Sequence, residues 1–179
     1  MMKKPFLILM LLISMGIFAQ NNIHYNFTVN TTFMANENFG KYDEYAEKRD
    51  WNIILPRALL IRNGFDVTVN HFVSVGLNLG LDWHEDLDVL AVPYYIDSKF
   101  TILKDGNDRL YIGGGYGKLV KLGKAFERGQ YFKAGIGYQA ATEKAHSFII
   151  NIDFHQKKME NFENGRLNSL SLGLGMSFL

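Results

Sequence analysis

The sequence predicts an all-β protein, an eight-stranded antiparallel up-and-down transmembrane β-barrel. Three observations point there. Apolar residues recur with a period of two over stretches of ten or more residues, the spacing that places successive side chains on opposite faces of a strand. In each stretch one face is apolar, while the other is glycine, serine, asparagine and scattered charge. A soluble barrel would instead show water a face rich in Lys, Glu and Thr. The connections also alternate between short turns and longer polar loops, as in barrels whose two rims face different compartments. With 17 glycines, 14 % aromatic residues and only three prolines, the composition is that of strands and turns and not of a disordered chain.

The chain opens with a different pattern. Lys3 and Lys4 form a basic start, residues 5–18 an apolar core, and Ala19 a cleavage point before Gln20. This is the layout of a secretory signal peptide over residues 1–19, with an apolar run short of the ~20 residues of a spanning helix. Residues 20–179 then form one barrel domain. Removing Lys3 and Lys4 takes the formal charge from +1 to −1, which excludes a strongly basic nucleic-acid binder. With no cysteine there is neither a disulfide framework nor a thiolate metal site.

The elements follow in order. Residues 23–35 alternate Ile23, Tyr25, Phe27, Val29 and Phe33 against His24, Asn26, Thr28, Asn30 and Thr32. Residues 36–50 mix charge and aromatics without a period and predict a long surface loop with a short helical turn in its middle. Residues 51–70 carry Asn63-Gly64, a strong hairpin signal. The odd/even phase nevertheless runs unbroken through it, favouring one long strand with Gly64 toward the lumen or at a bulge. Asn70-His71 is a tight turn.

Residues 72–83, FVSVGLNLGLDW, set Val73, Val75, Leu77, Leu79, Leu81 and Trp83 against Ser74, Gly76, Asn78, Gly80 and Asp82. Twelve residues at ~3.3 Å each, tilted by ~40°, rise about 30 Å, the thickness of a bilayer's hydrocarbon core. A short loop at 84–87 leads to a strand at 88–103, in which Pro93 requires a bulge or a place near a rim because it has no N–H for the ladder. The turn KDGND, the strand at 109–120, a charged loop, the strand at 130–140, a turn at 141–145, the strand at 146–156, a polar loop at 157–165 and the strand at 166–179 complete eight. Aromatics gather at strand ends (Phe72, Trp83, Tyr138 and Phe178), as in an interfacial girdle.

The polar face carries Arg62, Asp66, Asp82, Asp97, Lys99, Lys133, Asp153 and His155. In a narrow lumen such charges must pair, which predicts a structural network; a polar conduit is the alternative. His84, Glu85, Asp86 and Asp88 offer oxygen and nitrogen ligands, but their spacing matches no metal loop, so a solvated acidic turn is expected and no metal. His146 and Ser147 are adjacent and project to opposite faces, so no nucleophile–base pair is evident and no enzyme or cofactor is expected. Gly113 to Gly117 lacks the Gly-Lys-Ser/Thr ending of a phosphate loop.

The signal ending Phe-Ala-Gln, the run SVGLNLGLDW, the strands with GGGYG and GIGYQ, and the terminal SLGLGMSF resemble small eight-stranded outer-membrane β-barrel proteins of Gram-negative bacteria, the OmpX-like and OmpA-like class. The likeness covers about residues 52–179. It implies a monomer in outer-membrane lipid, inserted by the barrel-assembly machinery through its C-terminal strand, with a structural or surface-interaction role and loops 36–50, 119–129 and 157–165 facing outward. A small channel or transporter for solutes is the alternative. So is a soluble exported lipocalin-like barrel, which would hold Leu77, Leu79 and Leu172 inside.

Overall fold

The structure, a computed structural model, describes residues 23–35, 42–43, 48–49, 54–70, 72–84, 89–123, 126, 128–142, 146–159 and 165–178. Residues 1–19, where the sequence predicts a signal peptide, lie outside them. Among the described residues there are ten strands: β1 Ile23–Ala35, β2 Tyr42–Asp43, β3 Lys48–Arg49, β4 Ile54–Thr68, β5 Val73–His84, β6 Val89–Asp105, β7 Asp108–Val120, β8 Gly129–Ala141, β9 His146–Met159 and β10 Arg166–Phe178. Eight of them close a barrel in the order β1-β10-β9-β8-β7-β6-β5-β4, every pair antiparallel, so each strand lies beside its barrel neighbour in the chain and β1 meets β10. The fold is an eight-stranded up-and-down transmembrane barrel. Following paired residues once around returns to β1 about ten residues further along, a stagger that tilts the strands by about 40°.

Asn63-Gly64 lies inside β4 and is paired on both sides, with Phe27 and Asn26 of β1 and with Leu79 and Asn78 of β5. The ladder overrides the local turn preference because a turn there would strip two neighbouring strands of their partners. Pro93 sits near the loop end of β6. There the β5–β6 ladder skips Gly80 and Leu81 between the pairs Leu79↔Tyr94 and Asp82↔Ala91, so the missing N–H falls in a gap and not at a bulge. Register shifts do occur at Thr32/Phe33 and at Thr101/Leu103.

The turns use the expected chemistry. Asn70 Oδ1 accepts hydrogen bonds from the amides of Phe72 and Val73 at 2.9 and 2.8 Å. Gly106, at φ 58°, joins β6 to β7. In the long polar segment β2 pairs with β3 through Tyr42↔Arg49 and Asp43↔Lys48, where composition predicts a loop; residues 44–47 lie outside the described residues. β9 runs on to Met159 and β5 to His84, so Lys157 and His84 belong to strands and not to the loops at 157–165 and 84–87.

The apolar faces point outward around the whole barrel. Leu77 is 66 % exposed, Leu174 62 % and Ile96 58 %, and Phe27, Ile112, Ile136 and Ile152 continue the belt. Leu79 and Leu172 are exposed as well, which corrects the lipocalin-like expectation that these leucines line an interior. An apolar girdle on this scale is suited to lipid and not to water. Phe72, Trp83, Tyr138 and Phe178 stand exposed at strand ends.

Candidate functional site: the lumen

The inward phase of the strands fills the barrel with polar side chains. All eight residues anticipated from sequence as lumen charges project inward, and the structure brings most of them into pairs. Arg62 of β4 donates to Asp82 of β5 through Nη1. Lys99 of β6 pairs with Asp66 of β4. Lys133 of β8 reaches Asp153 of β9 at 3.0 Å. Asp97 accepts a hydrogen bond from Asn78 Nδ2 at 2.8 Å. Arg62, Lys99, Lys133 and Lys157 thus face Asp66, Asp82, Asp97 and Asp153, so that opposite charges share the desolvated interior.

Glycines provide the room. Asp66, Gly76 and Asp97 are cross-strand neighbours in register. A Cβ at Gly76 would meet both carboxylates, and one at Gly80 would meet the Arg62 guanidinium. Small and large side chains therefore alternate around the barrel, as a packed eight-stranded lumen requires.

Further inward residues join the network beyond those eight. Lys157 Nζ, wholly buried, lies 2.7 Å from Asp82 Oδ2 and donates to His84 Nε2 at 2.8 Å. Tyr131, also wholly buried, accepts from Arg62 Nη2 at 3.2 Å and packs its ring 4.8 Å from that of Tyr95. Lys157 shares its inward phase with Asp153 and His155; extending the strand at 146–156 by one more residue would have found it. His84 points into the lumen instead of joining an acidic turn. Glu85, Asp86 and Asp88 lie outside the described residues, and no cluster of three or more metal-ligating side chains occurs among those described. His146 and Ser147 sit at the far rim, paired with Phe178 and Ser177.

One chain of contacts has the composition of a nucleophile and its base. His155 Nε2 lies 2.7 Å from Ser171 Oγ, and His155 Nδ1 lies 2.7 Å from Tyr131 Oη. Arg62 Nη2 donates to Tyr131 Oη, and Ser171 Oγ donates to the Asp153 carbonyl at 3.4 Å. His155 and Ser171 are both buried. The relay holds strands together.

Toward the loop end, Ala91, Tyr95, Leu119, Tyr131 and Met159 form an apolar cluster inside the barrel, with Leu167 packed against it. Leu60 is buried there too. Toward the turn end, a cavity of about 20 Å³ lies among His24, Asp66, Lys99, Arg109 and Tyr111, room for about one water. The Lys99 ammonium stands 5.5 Å from the Tyr111 ring centroid.

No protein-family model matches the chain, and no curated protein matches it. Among solved structures, Neisserial surface protein A (NspA) aligns over 87 % of this chain and 96 % of that one, with a TM-score of 0.60 and 7 % identity. A de novo designed transmembrane β-barrel aligns over 88 % and 94 % with a TM-score of 0.46 and 7 % identity. Ail, the attachment invasion locus protein of Yersinia pestis, aligns over 88 % and 97 % with a TM-score of 0.40 and 14 % identity. The likeness to NspA is one of fold: this chain has the architecture of the small eight-stranded outer-membrane barrels.

Proposed function

We propose that this chain is an integral outer-membrane β-barrel protein with a structural or surface-interaction role, exported by residues 1–19 and folded over residues 20–179. One observation carries this reading: the barrel is inverted relative to a soluble one, with a broad apolar belt outside and an ion-paired interior. Lipid is the environment that such an exterior tolerates, and closure of β1 on β10 leaves no unpaired edge in it. The ion pairs hold the wall together and seal it, which supports a scaffold over a conduit, since Tyr131, Lys157, His155 and Asp82 are buried within the lumen. The loops between β1 and β4, β7 and β8, and β9 and β10 then face outward as the contact surface. The monomer inserts through recognition of β10 by the barrel-assembly machinery, and no enzyme activity, metal or cofactor is part of the reading.

The test is membrane fractionation with heat-modifiable gel mobility. Recovery in the outer-membrane fraction, with a mobility shift on boiling, supports the reading. A soluble periplasmic monomer without the shift refutes it.

A further inference from the structure

On the outward face at the loop end of β7 to β10, the register aligns a row of polar side chains. Lys118 is paired with Gln130, Gln130 with Lys158 and Lys158 with Arg166, and all four are exposed. One step toward the barrel's middle the next outward row is Tyr116, Phe132, Gln156 and Asn168, in which Gln156 Nε2 donates to Asn168 Oδ1 at 3.0 Å. The row after that is apolar, with Ala134, Phe154 and Leu170. A cleft of about 150 Å³ opens between Tyr116, Phe132, Gln130, Gln156 and Lys158.

Among the described residues of this rim the outward charge has one sign. The single carboxylate on the outward phase of β7 to β10 is Asp108, at the opposite rim, and none of Lys118, Lys158 and Arg166 forms an ion pair with a described residue. With strands ~4.8 Å apart, Lys118 stands about 10 Å from Lys158 and about 14 Å from Arg166 along the row. Those separations suit two phosphates held apart on one rigid headgroup. A lone phospholipid phosphate would use one cation and leave the rest of the row idle. The amides of Gln130, Gln156 and Asn168, interspersed with the cations, match sugar hydroxyls, and the aromatic and apolar rows below match acyl chains.

We propose that this face binds a bisphosphorylated glycolipid: Lys118 takes one phosphate, Lys158 and Arg166 the other, and the acyl chains descend over Tyr116, Phe132 and Phe154. The proposal rests on the membrane-barrel reading, with the loop end in the outer leaflet.

The full chain is inserted into phosphatidylcholine nanodiscs containing bisphosphoryl lipid A, monophosphoryl lipid A or phosphatidylglycerol, and lipid retained after detergent extraction is read by native mass spectrometry. Bisphosphoryl lipid A is expected to be retained over the other two. The triple variant K118Q/K158Q/R166Q should lose affinity by about a hundredfold, each cation near a lipid surface contributing about one part in three of that change in logarithm. Lys104→Gln, at the opposite rim, should bind as the parent does. Equal retention of phosphatidylglycerol, or unchanged retention by the triple variant, overturns the proposal. Heat-modifiable mobility is scored on the same samples. A chain that inserts but retains no glycolipid refutes this inference alone, whereas one that never inserts refutes the membrane reading with it.

Discussion

Lys157 and Asp82 meet 2.7 Å apart across the middle of the barrel, from strands β9 and β5 that stand four places apart in a ring of eight. They are diametrically opposed, as are Arg62 on β4 and Tyr131 on β8, which also touch. A barrel wall is held laterally by its ladders. These two contacts add struts across the diameter, which resist ovalisation and fix the phase of each strand at the same time.

The first prediction follows from the strut. Lys157→Met leaves Asp82 with Arg62 alone and should destabilise the folded protein by about 1.5–3 kcal/mol, the loss of one of two charge-assisted contacts to a buried carboxylate. Lys158→Met, one residue away and facing outward, should change stability by less than about 0.5 kcal/mol in phosphatidylcholine vesicles. Urea unfolding of both variants checks the pair of values. Equal effects would mean that β9 is out of phase.

Space around the carboxylates gives the second. Gly76→Leu forces a side chain between Asp66 and Asp97 and should cost about 1–3 kcal/mol by overpacking. Ser98→Leu on the adjacent strand, an exposed and outward position, should cost much less. Chemical unfolding distinguishes the two.

Lipid exposure gives the third. Leu77→Lys should lose about 2–4 kcal/mol near the bilayer midplane, while Leu77→Phe, still apolar, should fold as the parent does. Folded yield in vesicles, read by gel mobility, is the measurement.

The fourth concerns conductance. With Tyr131 and Arg62 filling the lumen between β4 and β8, planar-bilayer recordings of the parent should show no conductance above background. A steady open channel in the parent would contradict the sealed lumen.

Much of this was legible because period-two patterning reports the pleat directly. Phe27, Leu77, Ile112 and Leu174 face outward as their phase requires, and the unbroken phase through Asn63-Gly64 outweighed a local turn signal. Strand ends were less legible. The loop-ward ends of β5 and β9 carry His84 and Lys157, polar residues that composition assigns to loops, while the phase of Asp82 and His155 assigns them to the lumen. The apolar cluster of Leu119, Met159 and Leu167 was not legible at all, since an inward leucine near a rim has the same composition as an outward one beyond a loop. Trans-barrel contacts such as Lys157 with Asp82 depend on stagger, which no single strand encodes.

The leucines of β5 face outward and its polar residues face the lumen. The chain has no cysteine, so single-cysteine variants at Leu77, Asn78, Leu79 and Leu81 can be spin-labelled cleanly in vesicles. Collision with lipid-soluble oxygen should be high at Leu77, Leu79 and Leu81 and low at Asn78, an alternation with period two. High oxygen accessibility at Asn78 with shielded leucines would contradict the account and return the chain to a soluble barrel with an apolar interior.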